Sequence, residues 1–83
     1  MVGRPQQRSI ETRARILEAA REAFQADGFE ATSVEAVARR AGVSKASVFA
    51  HFHDKPGLLI GVRIEALAGL VQDMRARAQA IAA

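Results

Sequence analysis

The chain has 83 residues, 49% of them hydrophobic, and a formal net charge of +3, which describes one small domain near the size where a single core only just suffices. It holds no cysteine, so disulfides and thiolate metal sites are excluded, a composition that fits a reducing cytoplasm. Its apolar runs, such as Leu58-Leu59-Ile60, are far too short to cross a membrane, and the charged N-terminus does not read as a secretory signal.

Residues 1–9 (MVGRPQQRS) are polar, contain Gly3 and Pro5, and read as a flexible basic arm. A first helix is expected from a cap at Ser9 or Thr12 to about Asp27, with Ile16, Leu17, Ala20, Ala23 and Phe24 on one face at helical spacing. Gly28 reads as its stop, and Phe29 beyond it as the apolar residue that folds back on the core.

Residues 32–55 (TSVEAVARRAGVSKASVFAHFHDK) make the most specific proposal in the chain. Thr32 and Glu35 form a T-x-x-E capping box, so a second helix is expected from Ser33. Val34, Val37, Ala38 and Ala41 give it one apolar stripe. Gly42 ends it, because glycine takes the left-handed conformation without Cβ strain. Val43 can plug the angle between helices, and Ser44 is a strong cap for a third helix that ends near Phe52. Two short amphipathic helices joined by Ala41-Gly42-Val43-Ser44 are the sequence form of a helix-turn-helix, whose second helix can enter the DNA major groove.

His53 and Asp54 make a short connection, and Asp54 caps a fourth helix with Pro56 in its first turn. This helix is expected to run from about Lys55 to about Ile81, despite Gly61 and Gly69. Leu58, Leu59 and Val62 close the core. Ile60, Ile64, Leu67, Val71, Met74, Ala78 and Ile81 form a second, heptad-like stripe. Three short helices cannot cover it, so it reads as a contact surface for another domain or another copy; the alternative is a frayed, alanine-rich tail. The fold class is therefore all-α: a three-helix bundle with a homeodomain-like helix-turn-helix (residues 10–55), then a long fourth helix (56–83).

Charge placement agrees with a DNA partner. Arg4, Arg8, Arg13 and Arg15 lie ahead of the motif, Arg39, Arg40 and Lys45 flank its turn, and Lys55 follows it. With the third helix in the groove, Lys45, Ala46, Ser47, Ala50 and His51 are the expected base-reading side chains. Lys45 donates to guanine O6 or N7, Ser47 reaches several base edges, and Ala46 touches a thymine methyl. Phosphates are expected at Thr32 and Ser33, where the second helix begins, and at Lys55. Arg4 and Arg8 are expected to reach an adjacent minor groove.

Residues 13–59, RARILEAAREAFQADGFEATSVEAVARRAGVSKASVFAHFHDKPGLL, closely resemble the N-terminal DNA-binding domain of the tetracycline-repressor (TetR) family. The resemblance implies a homodimeric bacterial transcriptional regulator, usually a repressor, acting in the cytoplasm at the nucleoid on a palindromic operator. It also implies a larger C-terminal domain that dimerises and binds a small-molecule inducer in the full-length parent; on that expectation these 83 residues are a fragment or an unusually short homologue. The fourth helix leads toward that domain. At Phe49 the family usually carries a tyrosine whose hydroxyl contacts a phosphate; Phe49 keeps the ring and loses the hydrogen bond.

Two other function classes compete with this reading. His51, His53 and Asp54 invite a metal or catalytic role, but two helical residues two apart point about 200° away from each other. No second ligand set, nucleophile with a base, or glycine-rich phosphate loop accompanies them, so no cofactor, metal or enzymatic activity is expected. A helical protein–protein interaction module using the fourth-helix stripe is the alternative function.

Overall fold

The computed structural model describes residues 5–82 and folds them into four helices: α1 (Pro5–Asp27), α2 (Val34–Ala41), α3 (Lys45–Phe52) and α4 (Lys55–Ala82). No strand occurs among the described residues. The fold class matches the sequence reading, with one correction at the start. Helix α1 begins at Pro5, so residues 5–9 are helical rather than a flexible arm, and Ser9 and Thr12 lie inside the helix instead of capping it. Proline with its fixed φ is preorganised for a first helical turn, and Gln6, Gln7 and Arg8 are good helix formers.

The core is formed by one face from each helix. Ile16, Leu17, Ala19, Ala20 and Ala23 of α1 meet Val34, Val37, Ala38 and Ala41 of α2, Val48 and Phe52 of α3, and Leu58 of α4. Ile16, Val37, Val48 and Leu58 are the largest fully buried side chains. Phe24, Val43 and Val62 pack around this cluster at partial burial. Helix α1 ends where expected: Gly28 has φ 87° and donates its N–H to Phe24 O at 2.9 Å. Phe29 then turns back, its ring 5.5 Å from that of Phe24.

Helix α4 crosses this bundle through an unusually close approach. A Cβ at Gly61 would lie 2.8 Å from the Phe52 ring and 3.0 Å from Leu17, so glycine here admits the α3 and α1 side chains to the helix surface. Beyond Val62 every residue of α4 whose burial is described is exposed. Ile64, Leu67, Leu70, Val71, Met74 and Ile81 are all open, with Leu67 61% exposed. The second stripe thus exists as read, on a helix that leaves the bundle.

Candidate nucleic-acid interface

The turn between α2 and α3 has the geometry its sequence requires. Gly42 sits at φ 75° and ψ 32°. Its N–H donates to Arg39 O at 3.2 Å and the Val43 N–H donates to Ala38 O at 3.0 Å, the paired bonds of a Schellman motif. Val43 is the apolar residue that follows, half-buried against the core. Ser44 caps α3, its Oγ accepting the Ser47 N–H at 3.1 Å. A guanidinium from α1 secures the same corner: Arg15 Nη2 donates to Ala41 O at 3.0 Å, satisfying a carbonyl at the end of α2.

Helix α3 is consequently held with one face in and one face out. Val48 and Phe52 are buried. Lys45, Ala46, Phe49 and Ala50 are exposed, and Ser47 and His51 are half-exposed, so all five residues expected to read bases lie outside the core. The small side chains of Ala46 and Ala50 leave the α3 backbone accessible. Phe49 is 37% exposed and lies beside Lys45, whose Nζ is 5.7 Å from the ring centroid.

The start of α2 differs from the expected capping box by one residue. Ser33 is the cap, accepting the Ala36 N–H at 3.0 Å. Thr32 is only 3% exposed, and its hydroxyl is directed to Gly28 O (2.7 Å) and Ala23 O (3.2 Å). Thr32 therefore staples α2 to the end of α1 and presents no hydroxyl to a phosphate; its backbone N–H donates to Phe29 O at 3.3 Å. Ser33 is exposed and retains its hydroxyl hydrogen, because capping uses only an oxygen lone pair.

Helix α4 starts through a tight reversal. His53 adopts φ 65° and ψ −53°, and the Asp54 N–H reaches Phe52 O at 2.6 Å, a γ-turn of the strained, positive-φ kind. Asp54 Oδ1 accepts the Gly57 N–H at 2.8 Å, the cap the sequence suggested. Lys55 extends over the Phe29 ring, 4.4 Å from its centroid, and donates to Glu30 O at 3.3 Å. Its charge therefore lies at the α1–α2 loop, the segment that ends in Ser33. Arg8 is exposed on α1, carried by a helix rather than by an arm, and Arg4 lies outside the described residues. Among the described residues no group of three or more His, Asp or Glu is placed to hold a metal ion.

Several basic residues that frame the motif have internal partners the sequence does not disclose. Arg13 stacks on the Phe52 ring at 4.5 Å, Arg40 pairs with Glu22 at 3.0 Å, and Lys45 pairs with Glu35 across α2 and α3. The hydrogen bond from Lys45, with a smaller one from the Glu35 backbone, holds the Glu35 carboxyl below its ordinary value. Local sequence places Glu35 in the capping box, and no local signal marks a contact between residues ten positions apart.

A family model described as bacterial regulatory proteins, tetR family, matches residues 16–62. The chain belongs to that family. The matched tetR-family region contains α2, the Schellman turn and α3 whole, and is the DNA-binding domain of a transcriptional regulator. The chain is similar to the HTH-type transcriptional regulator TtgR of Pseudomonas putida, 39% identical over 59 residues, covering 71% of this chain and 28% of that protein. It is 42% identical over 52 residues to the HTH-type transcriptional regulator SrpR of Pseudomonas putida, covering 63% of this chain and 24% of SrpR. With the HTH-type transcriptional regulator UidR of Escherichia coli (strain K12) it shares 35% identity over 54 residues, 65% of this chain and 28% of UidR. The chain thus aligns with 24% to 28% of the length of these three relatives. No solved structure matches it.

Proposed function

We propose that this chain binds double-stranded DNA sequence-specifically, with α3 in the major groove, as the DNA-binding domain of a transcriptional repressor. The observation that carries the reading is the two-faced α3. Val48 and Phe52 anchor it, while Lys45, Ala46, Ser47, Ala50 and His51 stand clear of the core on a helix fixed by a Schellman turn and a serine cap. Lys45 donates to guanine, Ser47 and His51 bond base edges, and the two alanines let the backbone come close to the groove floor. Ser33, through its hydroxyl hydrogen and the α2 N-terminus, and Lys55, above the same loop, hold phosphates on one side of the groove. Phe49 packs its ring beside the backbone at that edge.

Two copies bind the two halves of a palindrome, brought together by a C-terminal domain outside these residues, and that domain takes the small-molecule inducer. The open stripe of α4 faces it. The setting is the bacterial cytoplasm at the nucleoid; none of the described helices is long and apolar enough to cross a membrane. Alone, one copy binds weakly, because the gain in effective concentration from a dimer is lost.

Fluorescence anisotropy with a random-sequence duplex at low and physiological salt tests the reading. Binding at low salt that falls steeply with salt is expected, since each neutralised phosphate releases counterions. Selection from a random pool then yields one enriched half-site. Absence of binding at low salt overturns the proposal in favour of a helical interaction module built on the α4 stripe.

A further inference from the structure

Glu35 occupies a position where an acid conflicts with the ligand. It lies in the first turn of α2, whose N–H groups attract anions, whereas the first turns of α3 and α4 hold no acid. Its carboxylate reaches across to α3 and pairs with Lys45 Nζ, while the Lys45 ammonium also lies over the Phe49 ring. The pair is not a core feature: the two side chains are 50% and 52% exposed. The first cation of the recognition helix is therefore neutralised by a neighbour on the surface that faces DNA.

We infer that Glu35 is a specificity-determining residue, masking Lys45 from arbitrary phosphates and releasing it only to an acceptor held in register on the groove floor. The inference rests on the DNA-binding reading above. A solvent-exposed ion pair is weak, so exchanging it for a well-placed acceptor such as guanine O6 and N7 requires little free energy. While the pair persists, Lys45 neutralises no phosphate, and the Glu35 charge opposes any phosphate approaching the start of α2. The repulsion acts in both kinds of complex, since each sets a phosphate at the start of α2, whereas the masking of Lys45 falls on non-specific binding, which consists almost wholly of phosphate neutralisation. Specific binding recovers the lysine through the base contact. Discrimination is a difference between affinities, and masking a cation from the wrong acceptors widens it without adding a contact to the correct site.

Glu35→Gln preserves the shape and helix preference of an exposed side chain while removing its charge. Wild type, Glu35→Gln, Lys45→Gln and the double variant are compared by anisotropy on a random duplex and on the duplex enriched from a random pool, after circular dichroism has matched their helicity. Glu35→Gln is expected to tighten random-duplex binding about three- to tenfold at physiological salt and to steepen the salt slope by about one unit. Its preference for the enriched duplex falls accordingly. Lys45→Gln weakens the enriched complex and lowers its preference over the random duplex, since the base contact is lost and Glu35 is left without its partner. In the double variant the steeper slope disappears. If wild type binds and Glu35→Gln has its random-duplex affinity and slope, the inference is overturned and the DNA reading stands. If wild type binds neither duplex at low salt, the DNA reading falls and the inference with it.

Discussion

The α2–turn–α3 unit and the outer part of α4 come from the same short chain and solve opposite problems. In the first, each helix is only 8 residues long, yet both starts are capped by serine, the α2 end is closed by a Schellman motif, and the inward apolar residues are buried. In the second, a single long helix runs past Val62 with its leucines, isoleucines and Met74 in the open. An isolated helix of moderate length is marginal in water, and packing of an apolar face normally supplies its stability. The α2–turn–α3 unit is thus packed within the bundle, while outer α4 has the composition of a helix that packs and no surface among the described residues on which to do so.

The largest expected effect tests whether the bundle alone carries stability. Leu58 is fully buried among residues of α1 and α3, whereas Leu67, nine residues on, is exposed. Leu58→Ala is expected to destabilise the fold by about 3 kcal/mol, from lost transfer free energy and the cavity left behind. For a domain this small that is a large fraction of the total, and the thermal midpoint followed by circular dichroism should fall accordingly. Leu67→Ala should change the midpoint by no more than about 0.5 kcal/mol equivalent. Comparable losses at the two sites would mean that outer α4 is packed in solution, and the contrast would collapse.

A glycine pair sharpens the same contrast with one chemistry. A Cβ at Gly57 would overlap the Phe52 carbonyl oxygen and crowd Asp54 Oδ1, whereas one at Gly69 meets nothing within 4 Å. Backbone cannot swing aside as a side chain does, so Gly57→Ala must open the α3–α4 reversal, at a net loss of about 2 kcal/mol. Gly69→Ala has only the helix preference to change and should gain about 1 kcal/mol locally. The readout is the midpoint for Gly57→Ala and the helical signal near 222 nm for Gly69→Ala, with opposite signs.

The features legible in the sequence were those set by neighbours along the chain. Gly28 and Gly42 marked left-handed stops, Ser44 and Asp54 marked caps, and the spacing of Val34, Val37, Ala38 and Ala41 marked the buried face of α2. Side-chain destinations across helices were not legible. Arg15 reaches Ala41 O, 26 positions away, and Arg40 reaches Glu22, 18 positions away, and no periodicity encodes either contact. For the same reason a count of basic residues around the motif overstates its unpaired charge, since Arg40 and Lys45 are paired with acids within the fold. The start of α1 is not legible for a different reason: Gly3 and Pro5 resemble a linker, although Pro5 is equally suited to begin a helix.

Thr32 and Ser33 reduce the comparison to two adjacent hydroxyls, and they carry the smallest effect. Both are good capping residues, so local sequence does not decide between them. The fold decides, because Ala23 O and Gly28 O lie within reach of Thr32 and leave Ser33 to cap α2. Thr32→Val keeps the shape and removes both hydrogen bonds, for an expected loss of about 1 to 2 kcal/mol. Ser33→Ala removes the cap, for about 1 kcal/mol. Stability alone hardly separates them, but DNA affinity does. At a temperature where both variants are fully folded, Thr32→Val should bind a random duplex as wild type does, since its hydroxyl faces inward. Ser33→Ala should bind more weakly, having lost the one hydroxyl hydrogen at the α2 start that remains available to a phosphate. Equal affinities for the two would remove Ser33 from the phosphate contacts and leave that role to the α2 backbone and Lys55.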